Sequence, residues 1–185
     1  MILYLDTNII LSYYNEKDPF HDPNKRLLGQ QELTFVTGFI TVIEFESVFG
    51  KLWQNNQIQL KLNIEQKVQN IPISDQVKYI TETCFSRLPI TVLPVSSLDA
   101  FKFNEIEYII ENTFSLAYRI GPQLQLRTLD ILQIASAVKI KQFTNFNVEY
   151  FLTNDENILN NSGIIRTTTT IIPISPDDFL SLLKI

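Results

Sequence analysis

Four carboxylates spread along the chain are the residues best suited to chemistry: Asp6, Glu44, Asp130 and Asp155. Asp6 directly follows the short apolar run ILYL, and Asp155 follows the apolar run VEYFLT by two residues. Ligands of open parallel α/β sheets bind beyond the carboxyl ends of the strands. Each aspartate could instead simply cap the next helix. Because both lie at predicted strand ends, a shared crevice is the better interpretation.

Asp130 falls in the first turn of a predicted apolar helix, LRTLDILQIASAVKI. An Asp at this point gains from the helix dipole, which is a purely structural explanation. A carboxylate on so apolar a helix nevertheless needs a partner to offset its desolvation, and Arg127 or a metal could serve. Gln133, one turn further on, lies on the same face as a polar neighbour.

Glu44 is the third residue after Thr41, the spacing of a capping box that opens a helix. In that role it would only bond back to the backbone of Thr41. Glu46 is the rival acid, but two positions along a helix it points to a different face. The spacing from Thr41 favours Glu44 as the residue that faces the crevice.

Gathered carboxylates need a cation. Two of them 4 Å apart repel by roughly 4 kcal/mol at an effective dielectric of about 20. The cluster would therefore raise its own pKa values or recruit metal. One histidine and one cysteine exclude the usual zinc sites. Oxygen ligands favour Mg²⁺ or Mn²⁺, and one or two such ions could activate water against a phosphodiester.

Composition bounds the class of protein. With 185 residues, 45% of them hydrophobic, we expect one domain over residues 1–185 with a sizeable core. No apolar run is long enough to cross a membrane, and the start of the chain does not resemble a leader peptide. The single cysteine, Cys84, excludes an internal disulfide and suits the cytoplasm. A net charge of −5 disfavours a large basic surface for nucleic acid, although a bound cation could supply positive charge locally.

Short apolar runs alternate with helix-like segments along the whole chain. The predicted strands are Ile2–Leu5, Leu33–Ile40, Ile90–Val95, Val148–Thr153 and Thr169–Ile174. The predicted helices are Ile9–Tyr14, Thr41–Trp53, Ile58–Asn70, Ser74–Leu88, Ser97–Tyr118, Arg127–Lys141 and Pro176–Leu183. This alternation predicts an α/β fold with a central, mainly parallel sheet.

Four segments, in order, carry a resemblance to PIN domains. LYLDTNIILSYY resembles their opening, in which an Asp ends the first strand and Thr or Ser and then Asn follow. ITVIEFESVFG is similar to their second motif, a Thr with a Glu three residues later. LRTLDILQIASAVK resembles their Arg-x-x-Asp helix, and FLTNDENI resembles the strand that ends in Thr-x-Asp.

The resemblance implies a three-layer α/β/α domain and a Mg²⁺- or Mn²⁺-dependent ribonuclease. It implies an acidic site of Asp6, Glu44, Asp130 and Asp155, both catalytic and metal-binding. Asn8 and Thr153 would be supporting polar groups that orient the carboxylates. RNA is the implied substrate.

Many prokaryotic members of this family are VapC-type toxins. The resemblance therefore also implies a small antitoxin partner and a homodimer. The span 55–121 is longer than a minimal toxin needs, which predicts an extended helical region with additional helices. Relatives often carry another acid shortly after the fourth motif; here Glu156 is adjacent and Asn157 is neutral, which leaves the number of metal ions open.

Other functions are compatible with parts of the sequence. A haloacid-dehalogenase-like phosphatase also places an Asp after its first strand, but it needs a second Asp where this chain has Asn8. A catalytically inactive PIN-like scaffold has no chemical need for four acids. A dinucleotide-binding module lacks its G-x-G-x-x-G motif among only five glycines.

Overall fold

The structure, a computed structural model, describes residues 1–58, 68, 70–94 and 97–184. In these residues the strands are Ile2–Leu5 (β1), Thr34–Gly38 (β2), Ile90–Leu93 (β3), Leu98–Phe103 (β4), Ile106–Glu111 (β5), Val148–Leu152 (β6) and Ile172–Ile174 (β7). The helices are Thr7–Tyr14 (α1), His21–Leu28 (α2), Phe39–Gln54 (α3), Ile73–Arg87 (α4), Asn112–Leu124 (α5), Thr128–Phe143 (α6), Glu156–Asn160 (α7), Ser162–Thr169 (α8) and Pro176–Leu183 (α9). The predicted helix Ile58–Asn70 lies almost entirely outside the described residues.

A five-stranded parallel sheet forms the centre, in the order β3-β2-β1-β6-β7. Strands β1 and β6 are direct neighbours, and their last residues, Leu5 and Leu152, are in register. The residues that follow these two strands therefore emerge side by side at one edge of the sheet. This is the position at which parallel α/β sheets bind ligands.

Each face of the sheet has its own hydrophobic core, because successive strand residues point to opposite faces. Leu3 and Leu5 belong to one core, which α1, α2, α3, α4 and α9 cover. Tyr4 between them belongs to the other, which includes buried residues of α5, α6 and α8. Helices on both faces of a parallel sheet make the predicted three-layer α/β/α fold, and this prediction is confirmed.

The predicted helix over Ser97–Tyr118 is wrong for most of its length. Its first part is the antiparallel hairpin of β4 and β5, and a helix begins only at Asn112. The turn uses Asn104 and Glu105, both in the left-handed region with φ of 47° and 65°, as tight two-residue hairpins require. The extra central region is thus helical at α4, but the strand β3 and the hairpin of β4 and β5 follow that helix.

The capping box predicted at Thr41 is also wrong. Helix α3 begins at Phe39 with Gly38 as its N-cap. Thr41 is fully buried within the helix, and its hydroxyl lies in a network of polar side chains. Within the described residues, no helix is long and apolar enough to cross a bilayer.

Candidate active site

Asp6 lies at the carboxyl end of β1, where the sequence predicted a crevice, and it is also the N-cap of α1. Its backbone N–H donates to the Leu152 carbonyl at the end of β6, at 3.0 Å. Oδ1 accepts the Thr7 backbone N–H at 2.7 Å. Oδ2 accepts Asn8 Nδ2 at 2.7 Å and the Thr153 hydroxyl at 2.6 Å. Only 6% of the residue is exposed, so these donors replace its hydration.

Asn8 and Thr153, the two predicted supporting residues, tie the ends of the strands together. Asn8 Nδ2 also donates to the Thr153 hydroxyl at 3.0 Å, and Asn8 Oδ1 accepts the Asn154 backbone N–H at 3.0 Å. The Thr153 hydroxyl in turn accepts the backbone N–H of Asp155 at 3.0 Å. The orientation of Asp6 is therefore coupled to the loop that carries Asp155.

Glu44 reaches the same region from α3. Its Oε2 accepts the Thr7 hydroxyl at 2.6 Å and Gln133 Nε2 at 2.7 Å. Thr7 is the neighbour of Asp6, so α3 and α6 both meet the start of α1 here. Glu46 is exposed, in contrast to the half-buried Glu44. The spacing from Thr41 therefore pointed to the acid that contacts Thr7, next to Asp6.

Asp130 lies in the first turn of α6, after the N-cap Arg127. Burial raises the pKa of Asp130, and the negative charges of Asp155 and Glu44 raise it further. The nearby charge of Arg127 and a hydrogen bond from its backbone oppose this rise. The Oδ2 atom of Asp130 is buried and has no hydrogen-bond partner in the described part of the chain. A buried carboxylate oxygen without a partner is costly, so this atom is a place where a ligand would stabilise the protein.

Burial also dominates the electrostatics of Asp6. It raises the pKa of Asp6 to about 7 against an ordinary value of 3.8. The charges of Glu44 and Asp130 contribute to the rise, while the hydrogen bonds from Thr153 and Thr7 oppose it. Each of the four predicted acids thus interacts with at least one other. These pairwise effects link all four acids electrostatically.

Asp155 lies after β6, at the start of α7. It is the N-cap of α7, and its Oδ1 accepts the Asn157 backbone N–H at 2.7 Å. Its backbone is held by Thr153, and its charge acts on Asp130. The capping interpretation is therefore correct for Asp155 in addition to its place near the other acids.

The donor set suits a hard cation in its chemistry. All four acids would offer oxygen atoms as ligands, which hard cations prefer. The pKa values of Asp6 and Asp130 are raised, and Asp130 Oδ2 lacks a hydrogen-bond partner in the described part of the chain. In the described residues, however, no three of the acidic, histidine or cysteine side chains already converge as a ligand set. Binding an ion would require the carboxylates to turn towards it.

Two polar residues at the site were underestimated from the sequence. Gln133 was noted only as a neighbour of Asp130, yet it is 1% exposed and hydrogen-bonded to Glu44. Thr7 was only part of the polar triplet after β1, yet its hydroxyl contacts the same acid. Their partners are distant in sequence, so local spacing gave no signal for these contacts.

The class of protein follows from comparison as well as from geometry. The model of the PIN domain family matches residues 3–163, and the chain belongs to this family. Members of the family are generally nucleases.

Among solved structures, the chain is similar to one in a crystal structure of VapBC2 from Rickettsia felis bound to a DNA fragment from their promoter. The TM-score is 0.52 with 14% sequence identity, and the alignment covers 95% of this chain and 98% of that chain. At this identity the likeness shows the fold alone. No curated protein sequence matches the chain.

Proposed function

We propose that this PIN domain, one unit over residues 1–185, is a Mg²⁺- or Mn²⁺-dependent endoribonuclease that hydrolyses RNA phosphodiester bonds. The observation that carries the proposal is that electrostatic effects link the four acids and that one of them, Asp130, has a buried oxygen without a partner. Asp6, Glu44, Asp130 and Asp155 would hold one or two ions. When bound, such an ion would act as a Lewis acid towards water and neutralise charge that develops on the phosphate.

The neighbouring side chains would orient the ligands. Asn8 and Thr153 donate to Asp6 Oδ2 and so fix the direction of its carboxylate. The raised pKa of Asp6 means that a proton competes with a cation for this carboxylate near neutral pH. RNA as the substrate class rests on the resemblance to ribonucleases of the PIN family.

We also propose that the chain is the toxin of a cytoplasmic toxin–antitoxin pair. The fold shared with a VapBC2 chain supports a small antitoxin as partner. An apolar cleft of about 200 Å³ offers a candidate surface, with Phe39, Ile43 and Phe114 each more than half exposed at its rim. Exposed apolar patches of this kind commonly mark protein interfaces. A second copy of the chain, in a homodimer, would compete with the antitoxin for this apolar cleft.

The phosphatase alternative is disfavoured by the contacts of Asn8. The second carboxylate of such an enzyme acts as acid and base, whereas both ends of the Asn8 amide are engaged in hydrogen bonds to the strand ends. An inactive scaffold is disfavoured by the acids themselves. Four coupled carboxylates destabilise the protein unless they bind something.

Cleavage of single-stranded RNA by the purified protein tests the nuclease proposal. We expect cleavage with Mn²⁺ or Mg²⁺, none with chelator, and at least about 100-fold slower cleavage by Asp6→Asn and Asp130→Asn. Asp177→Asn is the matched control, because this exposed acid pairs with Arg26 and with none of the four acids. If both site variants cut RNA as fast as the parent, the assignment is wrong. Turnover of a phosphomonoester without nuclease activity would favour the phosphatase.

A further inference from the structure

Gln133 uses both ends of its side-chain amide in a buried chain of hydrogen bonds. Its Nε2 donates to Glu44 Oε2 at 2.7 Å and to the Thr7 hydroxyl at 3.0 Å. Its Oε1 accepts the Tyr4 hydroxyl at 2.7 Å and the Thr41 hydroxyl at 2.8 Å. The amide thus joins the strand β1, the helix α3 and the helix α6 at one point.

The chemistry of the partners determines which way the amide faces. An ionised carboxylate only accepts hydrogen bonds, so the NH₂ group must face Glu44. Two hydroxyl donors then complete the lone pairs of Oε1. Reversing the amide would place an oxygen against the carboxylate and leave Oε2 of Glu44 with the Thr7 hydroxyl alone.

The position of the Tyr4 hydroxyl is itself fixed by close packing. The Tyr4 ring is stacked on Phe151, and its hydroxyl accepts the Gly38 backbone N–H at 3.2 Å. A Cβ atom on Gly38 would lie 2.0 Å from the Ser136 hydroxyl and 3.1 Å from the Tyr4 hydroxyl. Glycine at the end of β2 therefore permits the approach of α6 that brings Gln133 to Tyr4.

We infer that Gln133 is a positioning residue for Glu44 in metal binding. Its neutral NH₂ group holds Oε2 of Glu44 and leaves Oε1 of Glu44 available to a cation. A neutral amide suits this task better than Lys or Arg, since a cation at this position would compete with the metal for the carboxylate. The inference rests on the proposed function, because it assigns Glu44 the role of ligand.

Binding of Mn²⁺ alone, measured by titration calorimetry and by the electron paramagnetic resonance spectrum of the ion, tests this inference. Gln133→Leu keeps the size of the side chain and removes its hydrogen bonds. We expect the affinity for Mn²⁺ to fall about 10- to 100-fold, as is typical when a partner of a metal ligand is removed. At saturating Mn²⁺, kcat for RNA should fall by a similar factor while KM for RNA stays within about twofold.

Gln76→Leu is the matched control. This amide on α4 also uses both of its ends: it accepts a hydrogen bond from the Trp53 indole and donates one to the Ile71 carbonyl, both at 2.9 Å. We expect the control to bind Mn²⁺ like the parent. Thr41→Val serves if Gln133→Leu does not fold; it removes one of the two hydroxyl donors to Oε1 and should weaken Mn²⁺ binding about fivefold.

The outcomes separate the two proposals. A parent that binds Mn²⁺ and cuts RNA, with a folded Gln133→Leu variant of unchanged Mn²⁺ affinity, would overturn the role of Gln133 and leave the nuclease intact. Unchanged affinity in Thr41→Val would count against the role in the same way. A parent that binds no Mn²⁺ would overturn both proposals.

Discussion

The Thr153 hydroxyl donates to Asp6 Oδ2 at 2.6 Å, although 147 positions separate the two residues in sequence. The contact exists because β1 and β6 are parallel neighbours that end in register at Leu5 and Leu152. Thr153 is fully buried, so its hydroxyl has no water to replace this acceptor. The hydrogen bond therefore links the ends of β1 and β6, and it also lowers the pKa of Asp6.

Thr153→Val should destabilise the protein and weaken its affinity for Mn²⁺. Valine has the same shape but leaves Asp6 Oδ2 with one donor fewer and removes the acceptor for the Asp155 N–H. Above about pH 7, where Asp6 is ionised, loss of this buried hydrogen bond to a charged group should cost about 1.5–3 kcal/mol. Urea denaturation in chelator measures this cost.

Thr167→Val is the control for that variant, because this exposed hydroxyl bonds only to carbonyls of its own helix. It should change the free energy of unfolding by less than about 0.5 kcal/mol. Equal effects of the two substitutions would show that the Asp6 contact has no special weight.

The raised pKa of Asp6 predicts an unusual dependence of stability on pH in the metal-free protein. The unfolded chain releases this proton near pH 4, whereas the folded chain keeps it until about pH 7. The folded state binds more protons in that window, so the free energy of unfolding should fall as pH rises from about 4 to about 7. A pKa displaced by about 3 corresponds to about 4 kcal/mol.

Urea denaturation at several pH values in chelator measures that slope, and Asp6→Asn isolates its source. The variant cannot titrate at this position, so it lacks this loss of stability. Its free energy of unfolding should therefore rise relative to that of the parent between pH 4 and pH 7. Saturating Mn²⁺ should oppose the loss in the parent by binding the ionised form. A difference that is the same at pH 4 and pH 7 would contradict the assignment to Asp6.

Local signals in the sequence were sufficient for the sheet and for two of the acids. Asp6 and Asp155 follow apolar strands, and the parallel order of β1 and β6 brings such residues together. Glu44 was favoured by its spacing from Thr41, although the supposed cap at Thr41 lies inside α3. An error of two residues in the predicted start of a helix does not change which of its residues share a face, because the face depends only on the spacing between them.

Two features could not be predicted from local patterns. The partners of Gln133 lie up to 129 positions away, so they depend on packing between elements rather than on spacing. The hairpin at β4 and β5 was missed because its apolar residues fit a helical period as well as an alternating one. Its turn at Asn104 and Glu105 also lacks the glycine that usually marks such a turn.

Glu105→Gly should stabilise the hairpin. The residue is exposed and has a φ of 65°, a conformation that glycine adopts without the clash of a Cβ atom. We expect a gain of about 0.5 kcal/mol in the free energy of unfolding, because relief of this strain exceeds the extra entropy of glycine in the unfolded chain. Glu105→Ala keeps the Cβ atom and should give no gain. A gain with alanine and none with glycine would reject the turn geometry.

Asp99 attaches the hairpin to the rest of the protein, and its removal should loosen that attachment. Its Oδ2 lies 3.4 Å from an Arg119 nitrogen and 3.9 Å from Lys139 Nζ. The Lys139 side chain is only 7% exposed, so Asp99→Asn would leave a buried ammonium without this counter-charge. Because the Asp99 side chain is 30% exposed, we expect a cost of about 1–3 kcal/mol, below that of breaking a fully buried pair.

Lys139→Met in the Asp99→Asn background tests the cause of that cost. Methionine fills the space of the lysine stem without its charge, so the double variant should recover most of the lost stability. Thermal denaturation of the parent, both single variants and the double variant gives the coupling energy between the two positions. Strictly additive effects would mean that Asp99 acts through Arg119 instead, whose side chain is 60% exposed and so loses less when its partner is removed.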